Sequence, residues 1–499
     1  MRLEERRLSC PYTVSRGGES WSTRLIYRYQ ERVFRPGEPG DLSLARMIAY
    51  QVALNYGLFC SEILFRGPCD PADRRLLRVM ARNTAREILA NRILAPNPFL
   101  TSSAPLPPVH RRDSYLNARL LFPEASPAPL QDSWDPDPRR FAVLLSGGKE
   151  SLLSLALLRE AGREAHPVFI NESGAHWLTA LNSYRFLQGE NPATARVWTN
   201  ADRVFAWMLR RLPFIRDDFS RVRSDDYPLR LWTVAVFSFG ALPLLRLRGL
   251  GNLVIGDEYD TTRRARLDGI LHYDGLFDQS RYFDLAASRY FQRKGWGVTQ
   301  RSLVRPLSEL LVQRVLALRY PRLQEQQTSC HSARMRGGRA VPCGRCEKCR
   351  RVVGMLLAAG ADPRRCGYTG EQIDRCLREL PRTALRQEEE TARRTLFLLA
   401  RRGLLPTAGA GHEGAGLPGE IPPEETCIPG GAVVPRPDPE GPPPLAEKIR
   451  LHPRVSPPED IPPDIRPVLF SILLPYTAGA VRLQGGDWRE VDPRELSGG

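Results

Sequence analysis

Residues 141–160, FAVLLSGGKESLLSLALLRE, place an apolar run, a glycine pair and a leucine-rich segment next to one another. The apolar run ends at a Ser-Gly-Gly turn, and leucines at helical spacing follow it. This order predicts a buried strand, a tight turn and a buried helix. The turn carries Lys149, although only four of the 72 basic residues in the chain are lysines. A lysine kept at this turn indicates a chemical role.

The turn has the composition of an anion-binding loop. The first amides of a helix lack intrahelical partners and lie at the positive end of the helix dipole, so they attract an anion. Gly147 and Gly148 permit close approach of the backbone or positive φ angles. Ser146 and Ser151 offer hydroxyl groups, and Lys149 adds a mobile positive charge. The predicted ligand is a phosphate, although the loop matches neither GxxxxGK[ST] nor GxGxxG.

The length and the charge of the chain limit the class of protein. With 499 residues the chain is too long for one ordinary core, so two or more domains are expected. The net charge of +16 comes from arginines spread along the whole chain, so a nucleic-acid partner is possible and not favoured. No apolar run follows the first charges, and the longest apolar stretch, residues 231–245, is too short to span a membrane. We therefore expect a cytoplasmic protein with no membrane partner.

Residues 139–357 have the pattern of an α/β domain. Four short apolar runs, separated by helical stretches, are RFAVLL (140–145), HPVFI (166–170), ARVWT (195–199) and NLVIG (252–256). Continuous apolar runs of this length that alternate with helices predict a parallel sheet covered on both faces. The stretch 231–245 is then a buried helix.

The rest of the chain divides by composition. Residues 1–138 combine a strand-like run with two helical stretches, which predicts an α+β cap or packing domain. Residues 358–403 predict a helical extension. Prolines crowd residues 404–466, so we expect a mostly extended linker without a core there. Residues 467–499 are expected to form a C-terminal tail that adds a strand or docks on the body.

A cluster of cysteines near residue 340 indicates a metal site. Cys343, Cys346 and Cys349 form a CxxCxxC knuckle, and Cys330 lies upstream. Four thiolates, three of them on one tight turn, form the closed tetrahedral set that suits structural Zn²⁺. An iron–sulfur cluster is the alternative, because thiolates serve both. In a reducing compartment, clustered cysteines more often hold a metal than form disulfides.

The loop and the cysteine cluster together resemble a known superfamily. SGGKES is similar to the SGGxDS signature of the PP-loop ATP pyrophosphatases, with Glu150 where that signature has Asp. The order of this loop, the segment RPLSEL (305–310) and a Cys followed by CxxCxxC resembles the 7-cyano-7-deazaguanine synthases over residues 141–357. The N-terminal unit and the segment YFQRKGW (290–296) are similar to those of the ATP-dependent UDP-MurNAc-dipeptide glutamate epimerases.

The resemblance implies a HUP- or Rossmann-like nucleotide-binding fold and a shared chemistry. Enzymes of both kinds cleave ATP between its α and β phosphates and activate a carboxylate of a small-molecule substrate as its adenylate. The resemblance further implies that residues 146–151 hold the pyrophosphate and that Mg²⁺ bridges phosphate oxygens. The zinc is implied to be structural and close to the substrate pocket.

A second group of candidate residues follows the run that ends at residue 256. The segment GDEYDTTRR (256–264) begins at the carboxyl end of a predicted parallel strand, where open α/β sheets bind ligands. Asp257, Glu258 and Asp260 are candidates for metal or substrate contacts there. By the resemblance, Lys149 and Asp257 are the predicted catalytic residues.

Two other classes of protein stay open at this point. A tRNA-modifying PP-loop enzyme would take RNA as its partner, although its usual sulfur-carrying cysteine patterns are not visible. A degenerate loop that holds nucleotide without turnover is favoured by Glu150, which replaces the usual Asp. The substrate acid and the fate of its adenylate, whether amide, nitrile or epimer, are not determined by these residues.

Overall fold

The computed structural model contains 17 β-strands and 13 α-helices in the part of the chain that it describes. The described residues are 1–101, 114–127, 132–172, 174–222, 229, 234–273, 276–330, 332–382, 387–405 and 444–496. One eight-stranded sheet lies at the centre of the fold, with smaller sheets of two or three strands around it.

The N-terminal region contributes strands to the central sheet and two long helices. Its elements are β1 (Arg2–Glu4), β2 (Arg7–Arg16), β3 (Glu19–Tyr29), α1 (Pro39–Tyr50), β4 (Glu62–Leu64), α2 (Pro71–Ile88) and β5 (Arg119–Leu121). Helix α2 begins after a capping box, in which the side chains of Asp70 and Asp73 each accept a hydrogen bond from the other's backbone N–H. The first of the two helical stretches predicted in this region, LSLARMIAYQVALNYGLF (42–59), is α-helical only to Tyr50 and continues as the 3₁₀ turn Gln51–Tyr56.

The middle of the chain alternates strands and helices. Its elements are β6 (Asp137–Leu144), α3 (Lys149–Glu160), β7 (Ala165–Asn171), α4 (Ala175–Glu190), β8 (Ala195–Thr199), α5 (Ala201–Leu209), α6 (Val234–Arg248), β9 (Leu250–Val254), β10 (Arg264–Leu267), β11 (Ile270–Tyr273), α7 (Arg281–Arg293) and β12 (Thr299–Arg301). All four strands predicted from the apolar runs are confirmed, as β6, β7, β8 and β9. Residues 234–245 of the predicted buried helix lie in α6 and are mostly buried, whereas residues 231–233 lie outside the described part of the chain.

The central sheet is mixed, and its parallel part is the one that the sequence predicts. The strand order is β1-β2-β3-β8-β7-β6-β9-β12. The five strands from β8 to β12 in this order are parallel to one another. Strand β3 joins them by pairing antiparallel with β8, with Tyr27 opposite Thr199. The division predicted at residue 138 therefore falls within one sheet.

The two faces of the parallel strands pack into different cores. Ala142 of β6 belongs to the core that contains α6, whereas its neighbours Phe141 and Val143 belong to the core that contains α3. Strand β9 is buried along its whole length. Burial on both faces explains why these strands appear in the sequence as continuous apolar runs rather than as alternating ones.

The helices that follow the sheet surround the cysteine cluster. The elements are α8 (Glu309–Arg319), α9 (Pro321–Gln324), β13 (Arg334–Arg336), β14 (Arg339–Val341), α10 (Glu347–Ala359), α11 (Gly370–Glu379) and α12 (Glu389–Arg401). Helix α10 packs against α8, α11 and α12, and the buried residues Met355 and Leu356 lie in the core between them. It ends at Gly360, whose φ of +81° is the left-handed conformation that closes a helix.

Residues 444–496 fold onto this body. Their elements are β15 (Ile449–Leu451), α13 (Arg466–Leu473), β16 (Ala480–Gln484) and β17 (Asp487–Val491), and the three strands form one sheet. Ile449, Leu451 and Phe470 are fully buried in the core that also contains α3. Residues 444–466 are therefore not part of a linker without a core, as was predicted for 404–466. Although this stretch is rich in proline, its few apolar side chains pack into the core that contains α3. Residues 406–443 lie outside the described part. Among the helices described, none is both long and apolar enough to cross a membrane.

Candidate functional site

Two turns meet where the strand order of the central sheet reverses. Strand β6 has β7 on one side and the later strand β9 on the other, so the turns after β6 and β9 flank the switch point of the sheet. Open α/β sheets bind ligands at this position. Gly256, two residues after the end of β9, brings the two turns together, since a methyl group there would lie 2.6 Å from the backbone nitrogen of Ser151. The predicted loop and the predicted acidic turn are therefore neighbours.

Gly147 and Gly148 have different functions in the turn after β6. Gly147 has a φ of +80°, and a methyl group on it would overlap the carbonyl oxygen of Thr179 in α4. Both the conformation and the space at this position require glycine. Gly148 is the N-cap residue of α3, and no side chain caps this helix. Within the described residues the first amides of α3 thus have no side-chain cap, which is the condition for binding an anion there.

The hydroxyl groups of Ser146 and Ser151 take part in hydrogen bonds within the loop. The N–H of Gly148 donates to Ser146 Oγ at 3.3 Å, and Ser151 Oγ donates to the carbonyl of Gly148 at 3.1 Å. Two outside groups fix the loop further: Thr179 Oγ1 donates to the carbonyl of Ser146, and the N–H of Thr328 donates to the carbonyl of Gly147. These bonds hold the shape of the loop, and the phosphate contacts expected of the two serines stay predictions.

Lys149 is buried in an ion-pair cluster. Its ammonium contacts the carboxylate of Glu150 and lies 2.6 Å from Oε1 of Glu309, the first residue of α8. Only 5% of the side chain is exposed. Burial lowers the pKa of Lys149, but the neighbouring carboxylates, Glu150 first, raise it by more, so the pKa is raised overall. The lysine is charged and held between two carboxylates in this structure.

Three glutamates converge around this lysine. One carboxylate oxygen each of Glu150, Glu258 and Glu309 lies within 4.8 Å of the others, an arrangement that can hold a metal ion. Burial, followed by repulsion from Glu150 and Asp260, raises the pKa of Glu258 well above its ordinary value. Burial and repulsion from Glu309 raise the pKa of Asp260 to about 6. A hard divalent cation bound here would relieve this repulsion, since Mg²⁺ and Ca²⁺ prefer carboxylate oxygens.

Asp257 has different neighbours from those of Glu258. Its backbone is tied to Ser302, which donates from Oγ to the carbonyl of Asp257 at 2.7 Å. Its Oδ2 lies 3.6 Å from Arg305 Nη2 and accepts no hydrogen bond within the described part of the chain. Burial raises the pKa of Asp257 well above its ordinary value, although Arg305 opposes this. The structure therefore groups Asp257 with Arg305 and puts Glu258 among the carboxylates around Lys149.

The four predicted metal ligands do come together. The Sγ atoms of Cys330, Cys343, Cys346 and Cys349 all lie within 4.8 Å of one another. The Cys330–Cys346 and Cys343–Cys349 sulfur distances are 3.8 Å, and the Cys346–Cys349 distance is 3.4 Å. Tetrahedral Zn–S bonds of about 2.3 Å would separate the sulfurs by about 3.8 Å. Backbone N–H groups of Ser332 and Cys343 donate to Cys330 Sγ at 3.3 Å, which stabilises a thiolate. The group is compatible with a zinc site.

Helix α10 connects the cysteine cluster to the carboxylates. Cys346 is its N-cap residue, and Cys349 lies in its first turn. At the beginning of the next turn, Arg351 Nε lies 3.4 Å from Oε1 of Glu309. Lys348 is half-buried nearby, and burial, followed by repulsion from Arg351, lowers its pKa. The helix that begins at the cysteine cluster thus also carries the arginine that contacts Glu309.

Sequence reasoning missed two residues of this site. Glu309 belongs to the RPLSEL segment, which was noted only as part of a resemblance, yet it contacts Lys149, Arg351 and Gln387, the last at 2.8 Å. Lys348, which lies between two cysteines of the knuckle, was not predicted to be a site residue. The scarcity of lysine was the available signal for Lys348. For Glu309 the available signal was an acid directly before the apolar stretch LLVQRVLAL (310–318).

No family model matches this chain, and no curated protein matches it.

Proposed function

We propose that this protein is a PP-loop ATP pyrophosphatase that activates a carboxylate of a small-molecule substrate as its adenylate. The observation that carries the proposal is the juxtaposition at the switch point of the sheet, where an uncapped Gly-Gly helix start lies beside three convergent carboxylates. Amides at a helix start suit the outer phosphates of ATP, and convergent carboxylates suit the Mg²⁺ that accompanies them.

Glu150 supports this proposal although the resembled signature has Asp at its position. It extends from the first turn of α3 into the group that it forms with Glu258 and Glu309. These three residues would hold Mg²⁺, which supplies positive charge to the phosphates. In this structure Lys149 neutralises two of these carboxylates. If the carboxylates held a divalent cation instead, the ammonium of Lys149 would be free to contact the nucleotide.

In the proposed reaction, a carboxylate oxygen of the substrate attacks the α-phosphorus of ATP. The bond from this phosphorus to the oxygen that bridges to the β-phosphate breaks, and pyrophosphate leaves with the electron pair. Such a transfer depends on positioning and on charge neutralisation rather than on a protein nucleophile. The first amides of α3 and the ammonium of Lys149 would stabilise the pyrophosphate.

Asp257 and the cysteines receive supporting roles in this proposal. Arg305 donates to Thr261 and Thr262 at 3.0 and 2.9 Å and faces Asp257, so Asp257 is assigned the role of positioning the turn after β9. Four thiolates close a tetrahedral zinc shell and leave no position open for a substrate. The zinc would therefore hold α10 in place and take no part in the chemistry.

The reaction is tested with ATP labelled at the α-phosphate, Mg²⁺ and a panel of carboxylic acids. We expect AMP and pyrophosphate only when a suitable acid is present. If the acid carries heavy oxygen in its carboxylate, one heavy oxygen should appear in the phosphate of AMP. Release of ADP, or AMP without the heavy oxygen, would contradict adenylation.

Two glycines give a matched test of the loop. Gly147→Ala and Gly162→Ala both put a methyl group at a positive φ, of +80° and +69° respectively, but only the first meets a neighbour, the carbonyl oxygen of Thr179. We expect Gly147→Ala to abolish MgATP binding in calorimetry and Gly162→Ala to retain it. Equal affinities would show that the loop does not bind the nucleotide.

A nucleotide-binding protein without turnover is the second candidate. It is favoured by the ion pairs of Lys149 with Glu150 and Glu309, which occupy the ammonium that a phosphate would need. This candidate predicts that MgATP binds and that no acid in the panel gives AMP. The same labelled-ATP experiment separates the two.

A further inference from the structure

The four lysines of the chain differ in their partners. Three of them form ion pairs with carboxylates, which are Lys149–Glu309 at 2.6 Å, Lys294–Asp70 at 2.5 Å and Lys448–Glu490 at 2.9 Å. Within the described residues, the ammonium of Lys348 has no hydrogen-bond or ion-pair partner although the residue is half-buried. This ammonium is not among the fully buried unpaired atoms of the described residues, so water reaches it and it is available to a ligand of opposite charge.

The position of Lys348 indicates which ligand it binds. Lys348 and Arg351 are three residues apart on α10 and so lie on the same side of the helix, and Arg351 Nε lies 3.4 Å from Oε1 of Glu309, so this side of α10 is turned toward the cluster beside the Gly-Gly turn. It lies in the first turn of α10, directly before the predicted metal ligand Cys349. The knuckle therefore fixes the backbone of Lys348 while its long side chain stays adjustable.

We propose that Lys348 binds a phosphate oxygen of the nucleotide. The inference rests on the proposed function. Lys149 is held by Glu150 and Glu309, whereas Lys348 lies at the same cluster and has no such partner. An anion that enters beside three carboxylates needs more positive charge than Mg²⁺ alone supplies. Lys348 supplies this charge from α10, whereas the loop backbone belongs to the start of α3.

The first test compares the affinity for MgATP of the parent protein, Lys348→Gln and Lys348→Arg in calorimetry. We expect Lys348→Gln to weaken binding by about tenfold to a hundredfold, as for the loss of a charged hydrogen bond, and Lys348→Arg to restore most of it. Lys448→Gln is the matched control, since it removes the lysine that pairs with Glu490, and it should bind as the parent does. The zinc content and thermal midpoint of each variant show whether the knuckle is intact.

Each outcome of this test has a definite meaning. If the parent binds MgATP and Lys348→Gln binds it equally well, Lys348 contacts no phosphate and the inference is wrong, while the proposed function stands. If the parent itself does not bind MgATP, the proposed function fails and the inference fails with it. Weak binding by Lys348→Gln with full zinc content and rescue by Lys348→Arg supports the inference.

A second test needs no variant and so does not depend on folding of a mutant. The parent is treated with an amine-acylating reagent with and without MgATP, and the four lysines are quantified by mass spectrometry. We expect Lys348 to be the lysine whose acylation MgATP suppresses most, with Lys448 unchanged. If MgATP binds and leaves the acylation of Lys348 unaltered, the inference is overturned.

Discussion

Lys294, directly after α7, and Lys149, at the start of α3, are both buried lysines that pair with two carboxylates. The Lys294 ammonium lies 2.5 Å from Asp70, 3.2 Å from Asp73 and 3.2 Å from the hydroxyl of Ser43. Asp73 also accepts a hydrogen bond from the hydroxyl of Tyr290 at 2.8 Å. Two carboxylates share one ammonium, but hydrogen bonds from Tyr290 and from the backbone N–H groups of Asp70 and Asp73 give every carboxylate oxygen a partner, in a network that joins the N-terminal helices to α7.

The cluster around Lys149 is not matched in this way. Glu150, Glu258 and Glu309 converge on it, and Oδ1 of the neighbouring Asp260 has no hydrogen-bond partner in the described part of the chain. Carboxylates exceed the cations that touch them, and the pKa values of Glu258 and Asp260 are raised as a result of burial and mutual repulsion.

The difference between these clusters separates a structural ion pair from a binding site. A closed network of buried charges stabilises one arrangement and has no capacity for a ligand. An excess of one charge in a buried position is unfavourable by itself and becomes favourable when an ion of the other sign binds. The Lys149 cluster is therefore the one that we assign to Mg²⁺ and nucleotide, although Lys294 is the more deeply buried lysine.

Removing the lysine from the matched cluster should have the largest effect on stability. Lys294→Met leaves Asp70 and Asp73 buried without their cation, and breaking a buried pair on one side costs about 3–5 kcal/mol. Urea unfolding followed by tryptophan fluorescence measures the loss. The affinity for MgATP of the protein that stays folded should be unchanged. A loss of stability no greater than that for Lys149→Ala would remove the contrast between the clusters.

Removing the lysine from the unmatched cluster should affect activity more than stability. Lys149→Ala brings Glu150 and Glu309 into direct repulsion, but Arg351 stays beside Glu309, so we expect a loss of about 1–3 kcal/mol. AMP formation should fall by about 100-fold or more, because the ammonium that stabilises pyrophosphate is lost.

The double variant Lys149→Ala/Glu309→Gln sharpens this prediction. Neutralising Glu309 removes part of the repulsion, so the unfolding free energy should return toward that of the parent. AMP formation should stay low, because the ammonium is still absent. Recovery of AMP formation in the double variant would mean that Lys149 affects the reaction only by neutralising Glu309, and not by contacting pyrophosphate.

The fold at the centre of the molecule could be predicted because its signals are local. Continuous apolar runs identify β6 to β9, since strands buried on both faces need apolar side chains at every position. The addition of β1 to β3 to the same sheet depends on the pairing of Tyr27 with Thr199, which are distant in the sequence. The docking of residues 444–451 depends on two buried residues, Ile449 and Leu451, within a proline-rich composition that normally indicates disorder.

The site could be predicted only where its residues are close together in sequence. The loop 146–151 and the CxxCxxC knuckle have fixed short spacings, so each could be found by pattern. Glu309 joins the site because α8 packs against α3, and Lys348 joins it because α10 packs against α8. Nor does a pattern distinguish Asp257 from Glu258, because neighbouring side chains in a turn face different groups.

A buried acid of the N-terminal region provides a test that depends on pH. Burial raises the pKa of Glu87 in α2 from 4.5 to about 7, although Arg86 opposes this. The folded protein holds this proton more tightly than the unfolded chain does, so stability is lost as the pH rises from about 4.5 to about 7. Glu87→Gln should remove this loss and stabilise the protein at pH values above the folded-state pKa by about 1–2 kcal/mol. Urea midpoints measured on both sides of that pKa check this, and an equal pH slope in parent and variant would contradict it.

Breaking the ion pair of Lys448 with Glu490 should have the smallest effect on stability of all the substitutions compared. The Lys448 side chain is largely covered, but that of Glu490 is 83% exposed, so water and salt screen the pair. We expect Lys448→Gln to shift the thermal midpoint by no more than about 2 °C and to leave MgATP affinity unchanged. Differential scanning calorimetry at low and high salt measures this shift. A midpoint loss comparable to that of Lys149→Ala would show that pairing alone, rather than the excess of carboxylates, governs how these lysines respond.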